Sequence, residues 1–497
     1  MNARVTERGP LLQSVCDLLA DAAATFAGTA HEKQLRDVLD RVDEPLRVAI
    51  AGKIKAGKST LLNALVGEEL APTDEGECTK IVTWYRNGQT YRVVVEPTDG
   101  PPRQVRFHRD DGAIEVELDG LTPDQINRVV VDWPSRSLEQ ITLIDTPGIA
   151  SVSTSISAKS HTFLTPDDDR ATEADAVLYL MKHLHSTDVD FLEAFHDEEV
   201  SQATPVNAIA ILSRADEVGS GRLDSMESAQ RIAARYRLDP KVRRLVQTVF
   251  PVAGLLAQTG STLREAEYRA LSDLAKSPDE EKENLLLSVD RFVSGATSTT
   301  LSSEDREVLL NRFGLFGVRL AIDLIDKGQA STSSQLAAEM VRRSGMRELQ
   351  DALLSQFADR RDVLKARAGL LGVEAAIRAN PQIDPGPLAA DLERISSSAH
   401  EFNELRLLNS IRSGALSAKP DDIAAMERLL GTNGTAVPDR LGIHSTDPTA
   451  IITAAQRELG KWQRKAESPL ASADVATAAR VLMRTCEGML ADAYRSS

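Results

Sequence analysis

The sequence predicts an α/β domain, a mostly parallel sheet flanked by helices, joined to an extended all-α helical bundle. Between residues 46 and 252 short apolar runs alternate with helical patterns, as a covered parallel sheet requires. After about residue 260 the strand-like runs vanish and helical periodicity continues to the end, broken only at Gly/Pro/Ser clusters such as SGATSTTLSS and GTNGTAVPDRLGIHSTDP. Aromatic residues make up only 4% of the chain, which argues against a β-sandwich and for helices rich in Ala and Leu.

The elements follow in order. Residues 10 to 27 read as an amphipathic helix, with Leu11, Val15, Leu18, Ala22 and Phe26 on one face and Pro10 in its first turn. Leu35, Val38, Leu39 and Val42 repeat the pattern. LRVAIA (46–51) is then a continuous apolar run, the signature of a buried strand. Further strands are expected at 80–85, 91–96, 128–133, 141–145, 175–181, 207–213 and 246–252. The stretch 86–140 is richer in strands and turns (RNGQ, RDDG), which predicts an antiparallel edge. In the helical part, Phe357, Leu364 and Leu371 recur every seven residues beside Val363, Leu370 and Ile377, and so do Val475, Leu482 and Met489. Such stripes suit near-parallel helices in a long bundle or an ordinary helical core. The division expected is 1–44 (a helix joining a neck bundle), 45–355 (the α/β head) and 356–497 (helical neck and trunk).

Charge and cysteine usage narrow the function. With 58 basic against 74 acidic residues the net charge is −16, which speaks against nucleic-acid binding. An anionic membrane would also repel the average surface. The three cysteines, Cys16, Cys78 and Cys486, are too few and too scattered for a disulfide framework or a zinc site, and they suit a reducing cytosol. MNARVTERG lacks the apolar core of a signal peptide, and no run is long enough to span a bilayer. The expectation is a cytoplasmic protein, or one peripheral at the inner face of the plasma membrane.

One motif declares the chemistry. RVAIAGKIKAGKSTLLNALVG contains G-x-x-x-x-G-K-[ST] directly after a strand and at the start of a helix. Backbone N–H groups of Gly52, Lys53, Ile54, Lys55, Ala56, Gly57, Lys58, Ser59 and Thr60 surround a phosphate chain in such a loop, helped by the helix N-terminus. Lys58 reaches the β- and γ-phosphates and Ser59 offers its hydroxyl to Mg²⁺. A second piece, ITLIDTPGIAS, ends a strand in Asp145, whose carboxylate serves the metal, while the Gly148 N–H faces the γ-phosphate. A third, AIAILSRADEVG, places Ser213-Arg214-Ala215-Asp216 at a strand end, where guanine-binding proteins carry N/T-K-x-D. Asp216 can accept from guanine N1–H and the 2-amino group, a pair of donors that adenine lacks. Arg214 can lay its stem over the base, and Ser213 is shorter than the usual Asn. Thr79, in APTDEGECTKIV, is the residue placed to close over the metal and γ-phosphate. Val252, Ala253 and Gly254, in FPVAG, end the last strand where backbone amides meet the base.

With these five pieces in order, the chain resembles a bacterial dynamin-like large GTPase, and GKIKAGKSTLLNALVGEELAPTDEGECTKIVTWY is similar to the mycobacterial isoniazid-inducible type, in its shorter form. The motif match covers 46–254; the remainder matches by layout, FGLFGVRLAIDLI and SGMRELQDALLSQFADRRDVLKARAGLL being the more telling stretches. The resemblance implies an α/β P-loop GTPase head on a helical neck and trunk, with the N-terminal helix in the neck. It also implies Mg²⁺, GTP and GDP as ligands, low basal affinity, self-association through GTPase heads that improves catalysis, a dynamin-like paralogue as partner, and action on membranes. Eukaryotic dynamins carry a water-orienting Gln and a cation-binding Ser where this chain has Ile54 and Lys55, so slow basal hydrolysis is expected. The Lys55 ammonium either replaces a monovalent cation or lends general attraction to phosphate. The residues expected to serve catalysis are Lys58, Thr79, Gly148 and Lys55, with Ser59, Thr79 and Asp145 at the metal.

Other features carry less. His183, His185 and His196 read as a solvated loop rather than a metal site. FGLFGVRLAIDLI reads as core before lipid contact. Loops near 380–387 and 432–448 are the candidate bundle tips, without an interfacial aromatic-and-Lys signature. Two further readings stand beside a membrane-acting GTPase. One is a weakly hydrolysing GTP-binding scaffold for a longer paralogue. The other, a ribosome-associated GTPase, is disfavoured by the acidic charge and the helical stalk.

Overall fold

The computed structural model describes residues 8–72, 81–110, 113–118, 120–147, 174–183, 188, 189, 192, 207–357, 360–412 and 414–496. Thr79, Gly148, His185 and His196, and the roles expected of them, lie outside the described residues.

The head is built on a nine-stranded sheet among these residues. Its strands are β1 (Leu46–Gly52), β2 (Thr83–Asn87), β3 (Arg92–Pro97), β4 (Arg103–Val105), β7 (Ile126–Trp133), β8 (Ile141–Asp145), β9 (Ala176–Met181), β10 (Ala208–Ser213) and β11 (Val249–Val252), while β5 (Phe107–Asp110) and β6 (Ala113–Val116) form a separate antiparallel pair. The order is β11-β10-β9-β1-β8-β2-β7-β3-β4. From β11 to β8 every pairing is parallel, and β1, β8, β9 and β10 read as apolar runs because both faces of the sheet are covered. The antiparallel edge lies at β7-β3-β4 as expected. RNGQ, however, does not join neighbours: β2 and β3 flank β7, β2 parallel and β3 antiparallel to it. A turn signal reports that the chain reverses, not that its two arms pair. The strand expected at 80–85 starts late, at Thr83, although Ile81 and Val82 ahead of it are buried.

One sheet face belongs to a single apolar core that also takes in the P-loop helix Lys58–Val66 and four helices from the two ends of the chain: Pro10–Thr25, Ala30–Asp40, Arg361–Ala379 and Leu388–Ser398. Pro10 opens the first of these, and Leu12, Val15, Leu19, Ala22 and Phe26 form its buried stripe; Leu12 rather than Leu11 takes the inward position. Its approach to the Arg361–Ala379 helix is close, because a Cβ on Gly369 would stand 2.5 Å from Val15 Cγ1. The other sheet face packs on helices Ser225–Leu238, Glu265–Ala275 and Ser303–Asp326. Phe313, Phe316, Val318, Leu320, Ala321, Ile322 and Leu324 are all buried there, so FGLFGVRLAIDLI is core; the helix breaks at Gly314, whose φ of 63° suits only glycine.

The helices from His400 to Ser496 form a third core around Trp462, Leu482, Cys486 and Met426. Its main members are the long antiparallel pair Pro448–Ala466 and Ala473–Ser496. The turn between them holds Leu470 at 96% exposure, the most exposed large apolar side chain among the described residues. Of the two loops expected as tips, 380–387 is mostly exposed, at Pro381, Gln382, Asp384, Gly386 and Pro387, and only its first residue is held inside. Asn380 is buried and donates to Ala376 O, and 432–448 contains the short helix Val437–Leu441 with Leu441 in the core. No described helix is long and apolar enough to cross a membrane.

Candidate functional site

Strand register gathers the motifs at one edge of the sheet. Ile50 pairs with Asp145, Gly52 with Leu180, Ile211 with Leu180 and Ser213 with Val252, so the C-terminal ends of β1, β8, β9, β10 and β11 stand side by side. Ligands of open parallel sheets bind along this edge, where loops leave the strands and helix N-termini point outward.

The loop after β1 is set by its backbone. Gly52 has φ 152° and a Cβ there would lie 2.6 Å from the Leu180 carbonyl oxygen, so no other residue fits. The Ala56 N–H donates to Lys53 O at 3.1 Å, closing a tight turn, and Lys55 inside it is held at φ 61°. A non-glycine residue in that region carries strain, the kind of cost found at ligand-binding loops. Gly57, at φ 92°, starts the Lys58–Val66 helix. Ile54 and Lys55 are exposed, while Ala56 is buried.

Lys58, Ser59 and Asp145 converge. Lys58 Nζ donates to Gly52 O at 3.4 Å and Ser59 Oγ donates to Asp145 Oδ2 at 3.2 Å. Burial pushes the Lys58 ammonium down from its ordinary value against the pull of Asp145. Burial pushes the Asp145 carboxyl up, opposed by Lys58 and by the Ser59 hydroxyl. Asp145 Oδ1 is buried with no hydrogen-bond partner among the described residues. A carboxylate oxygen left over beside a serine hydroxyl is a pair of hard oxygen donors, and these fit Mg²⁺.

At the base-recognition end, Ser213 and Asp216 are buried, and Ser213 Oγ also lacks a partner among the described residues. Burial pushes the Asp216 carboxyl up to about 6. Arg214 has φ 51°, and its Nη1 donates to Glu217 Oε1 at 2.7 Å. Lys182 Nζ also reaches Glu217, at 3.3 Å. Ala253 N–H donates to Ser344 O at 2.9 Å, and Gly254 begins the helix Gly254–Ser261. A Cβ on Gly254 would sit 3.6 Å from Thr60 Cγ2, so the segment Val252 to Gly254 abuts the P-loop helix.

Four supporting residues escape the motif reading. Asn63, buried in the P-loop helix, donates to Ala71 O at 2.9 Å and accepts from Leu70 N–H at 2.9 Å and Ala71 N–H at 2.7 Å. It fixes the segment that leads towards Thr79. An Asn within LLNALV, where apolar residues surround it, was its legible signal. Thr146 Oγ1 donates to Ile50 O at 2.9 Å, tying the DTPG segment to β1. Lys53 pairs at 3.1 Å with Asp188, which is 1% exposed and also accepts from Tyr179 OH at 2.7 Å. Nothing local in the sequence announces that last pairing.

A family model described as the dynamin family matches residues 48–209. The isoniazid-induced protein IniC of Mycobacterium tuberculosis is 37% identical over 478 residues, covering 94% of this chain and 96% of IniC. IniA of the same organism is 27% identical over 217 residues, covering 40% of this chain and 31% of IniA. A bacterial dynamin-like protein of Nostoc punctiforme is 34% identical over 115 residues, 21% of this chain and 16% of that protein. Near-complete coverage at this identity places the whole chain, head and helices together, in one lineage, and the chain belongs to the dynamin family, alongside the isoniazid-induced mycobacterial protein IniC.

Proposed function

We propose that the protein binds GTP with Mg²⁺ and hydrolyses it to GDP and phosphate, slowly in the isolated chain and faster when two heads associate. The observation that carries this reading is the convergence of Lys58, Ser59 and a half-unpaired Asp145 at the edge where Asp216 also stands.

Each residue has a task. The N–H groups of Gly52 to Thr60 hold the phosphates, and Lys58 leaves Gly52 O to meet the β- and γ-phosphates. Ser59 and Asp145, with Thr79, hold Mg²⁺, which when bound neutralises phosphate charge. The Gly148 N–H donates to the γ-phosphate. Asp216 in its ionised form accepts two donors from guanine, with Arg214 and the amides of Val252, Ala253 and Gly254 around the base. Positioning and charge neutralisation carry phosphoryl transfer, so no nucleophilic side chain is needed. Ile54 cannot orient water, and the slow basal rate follows from that; Lys55 adds positive charge near the transferring group. Turnover is coupled to assembly at a membrane surface, with the paralogue of IniA type as a partner. In the second reading the chain is a weakly hydrolysing scaffold for that paralogue, a reading favoured by Ser213 standing where Asn is usual and by Ile54.

Calorimetry with GTP and ATP, with and without Mg²⁺, tests the site. GTP binding without comparable ATP binding is expected; equal uptake of both sinks the guanine assignment. GTPase rate against protein concentration, with and without liposomes and the paralogue, then separates the two readings. A rate per molecule that rises with concentration supports the enzyme, and one that stays negligible until the paralogue is added supports the scaffold.

A further inference from the structure

At the neck end of the sheet a groove of about 550 Å³ is lined by four arginines, Arg47, Arg86, Arg92 and Arg128, with Trp84 and Asp132. Its position follows from register. Arg86, Asp132 and Arg92 form one row across β2, β7 and β3, because Arg86 pairs with Asp132 and Asp132 with Arg92. Since β2 is antiparallel to β8 and Thr83 lies opposite Asp145, this row is displaced along the strands from the nucleotide edge towards the neck. Glu44 and Pro45 also line the groove, and their carbonyls accept from Arg361 and Lys365 of the neck helix.

The charges do not balance. Arg47 is matched by Glu44 at 2.7 Å and Arg128 by Glu96 at 2.7 Å. Arg86 and Arg92 share one carboxylate, Asp132, which is 6% exposed. Burial pushes that carboxyl up, and the two guanidiniums outweigh burial and hold it below the usual range. It therefore stays a single negative charge against two positive ones. The Arg86 and Arg92 side chains remain 45% and 46% exposed, so N–H donors not aimed at Asp132 face the groove. Trp84 lies between two more guanidiniums, Arg47 at 4.6 Å and Arg128 at 4.4 Å from its ring centre, which stiffens the groove floor. A concave, rigid site with one uncompensated guanidinium and spare planar donors is suited to a phosphoryl group, which accepts bidentate bonds from Arg. In a chain of net charge −16 it is also a local exception.

We propose that this groove binds a phosphoryl-bearing ligand, separately from the nucleotide site, with Arg86 and Arg92 as its principal donors. The ligand's phosphoryl group comes either from a free phosphorylated molecule or from a phospholipid headgroup. Occupancy next to Glu44 and Pro45 would be felt where the neck joins the head.

The test starts from the full-length Lys58→Ala protein, so that the P-loop does not compete. Inorganic pyrophosphate is titrated into it by calorimetry, in a chelating buffer. In parallel, co-flotation is measured with phosphatidylcholine vesicles with and without phosphatidylinositol phosphate. Each arm is repeated with Arg92→Gln and with Arg92→Lys, which keeps a positive charge beside Asp132 and so guards against misfolding. Pyrophosphate binding weakened at least about tenfold by Arg92→Gln, and partly by Arg92→Lys, is the expected result. Arginine-dependent pyrophosphate binding without vesicle binding identifies a free ligand; arginine-dependent binding to the phosphoinositide vesicles identifies a headgroup. Absence of binding in both arms, or binding indifferent to Arg92, overturns the proposal, and neither result touches the guanine assignment.

Discussion

Lys365 donates to Asp175 across 2.7 Å, with the two side chains only 2% and 4% exposed, where the neck helix Arg361–Ala379 meets the start of β9. The same carboxylate accepts the Arg47 N–H at 2.8 Å, so one buried charge joins neck, β1 and β9. Burial pushes the Asp175 carboxyl up, but Lys365, with the Arg47 N–H and Arg41 beside it, outweighs burial and holds the carboxyl below the usual range. Head and neck are thus fixed by a directional bond inside the shared apolar core.

Removing one partner strands the other. Lys365→Met should cost about 3–5 kcal/mol in urea unfolding, since it leaves a buried carboxylate uncompensated. The double change Lys365→Met with Asp175→Asn should recover much of that loss, because neither charge remains buried. Asp175 has its pKa lowered on folding, so its contribution is present above the ordinary carboxylate range and is lost as pH falls through the lowered value. Acid titration of the wild-type protein should therefore show a larger stability loss at low pH than the double variant, in which only the other lowered carboxylates, such as Asp132 and Glu404, remain.

Asn63 makes a second forecast. Its three hydrogen bonds hold Leu70 and Ala71 against the P-loop helix, and all of them are buried. Asn63→Ala leaves two N–H donors and a carbonyl unsatisfied, a cost of about 2–4 kcal/mol. The KM for GTP should rise with it, since the segment towards Thr79 loses its anchor, whereas GDP affinity, which needs no closure over a γ-phosphate, should change less.

How far the sequence reveals all this depends on the range of each interaction. Gly52, Gly57, Lys58 and Ser59 are legible because a phosphate loop is a local object: its spacing, its strand and its helix lie within twenty residues. Asp145, which closes β8, and Asp216, three residues past the end of β10, are legible because each follows an apolar run with its own short signature. The placement of β7 between β2 and β3 is not, since turn residues between two strands say nothing about a third that arrives later. Lys53 with Asp188, and Lys365 with Asp175, are invisible for the same reason: each half is an ordinary charged residue until the fold brings the other beside it. The inward face of the first helix is legible to within one position, since Leu11 and Leu12 are both apolar and only packing decides which is fully buried.

The metal end of the site gives a sharper test than activity. Ser59→Ala removes the hydroxyl proposed to meet Mg²⁺ together with its hydrogen bond to Asp145 Oδ2. In a chelating buffer GDP should bind the variant and the wild-type protein alike. On adding Mg²⁺ the wild-type affinity should rise, and the variant should lag by on the order of tenfold. Equal enhancement in both would remove Ser59 from the metal site.

The proposed contact of Asp216 with the base makes a forecast about pH. With burial holding its carboxyl up at about 6, it is largely protonated in the free protein below that pH and ionised above it. Only the ionised form accepts from both guanine donors, so GTP affinity should fall as pH drops through 6, by at most about tenfold per unit. The sign for stability is opposite. A carboxyl whose pKa is raised on folding contributes stability below its unfolded value, and that contribution is lost as pH rises through about 6. Asp216→Asn removes the buried charge, so the nucleotide-free variant should unfold at a higher temperature than the wild type at pH 8, and at nearly the same temperature at a pH below 4. It should also lose GTP while gaining xanthosine triphosphate, whose C2 carbonyl accepts from the new amide where guanine offers a donor. Thermal unfolding and nucleotide titration at two pH values check both halves. A variant that kept its preference for GTP would show that Asp216 does not face the base.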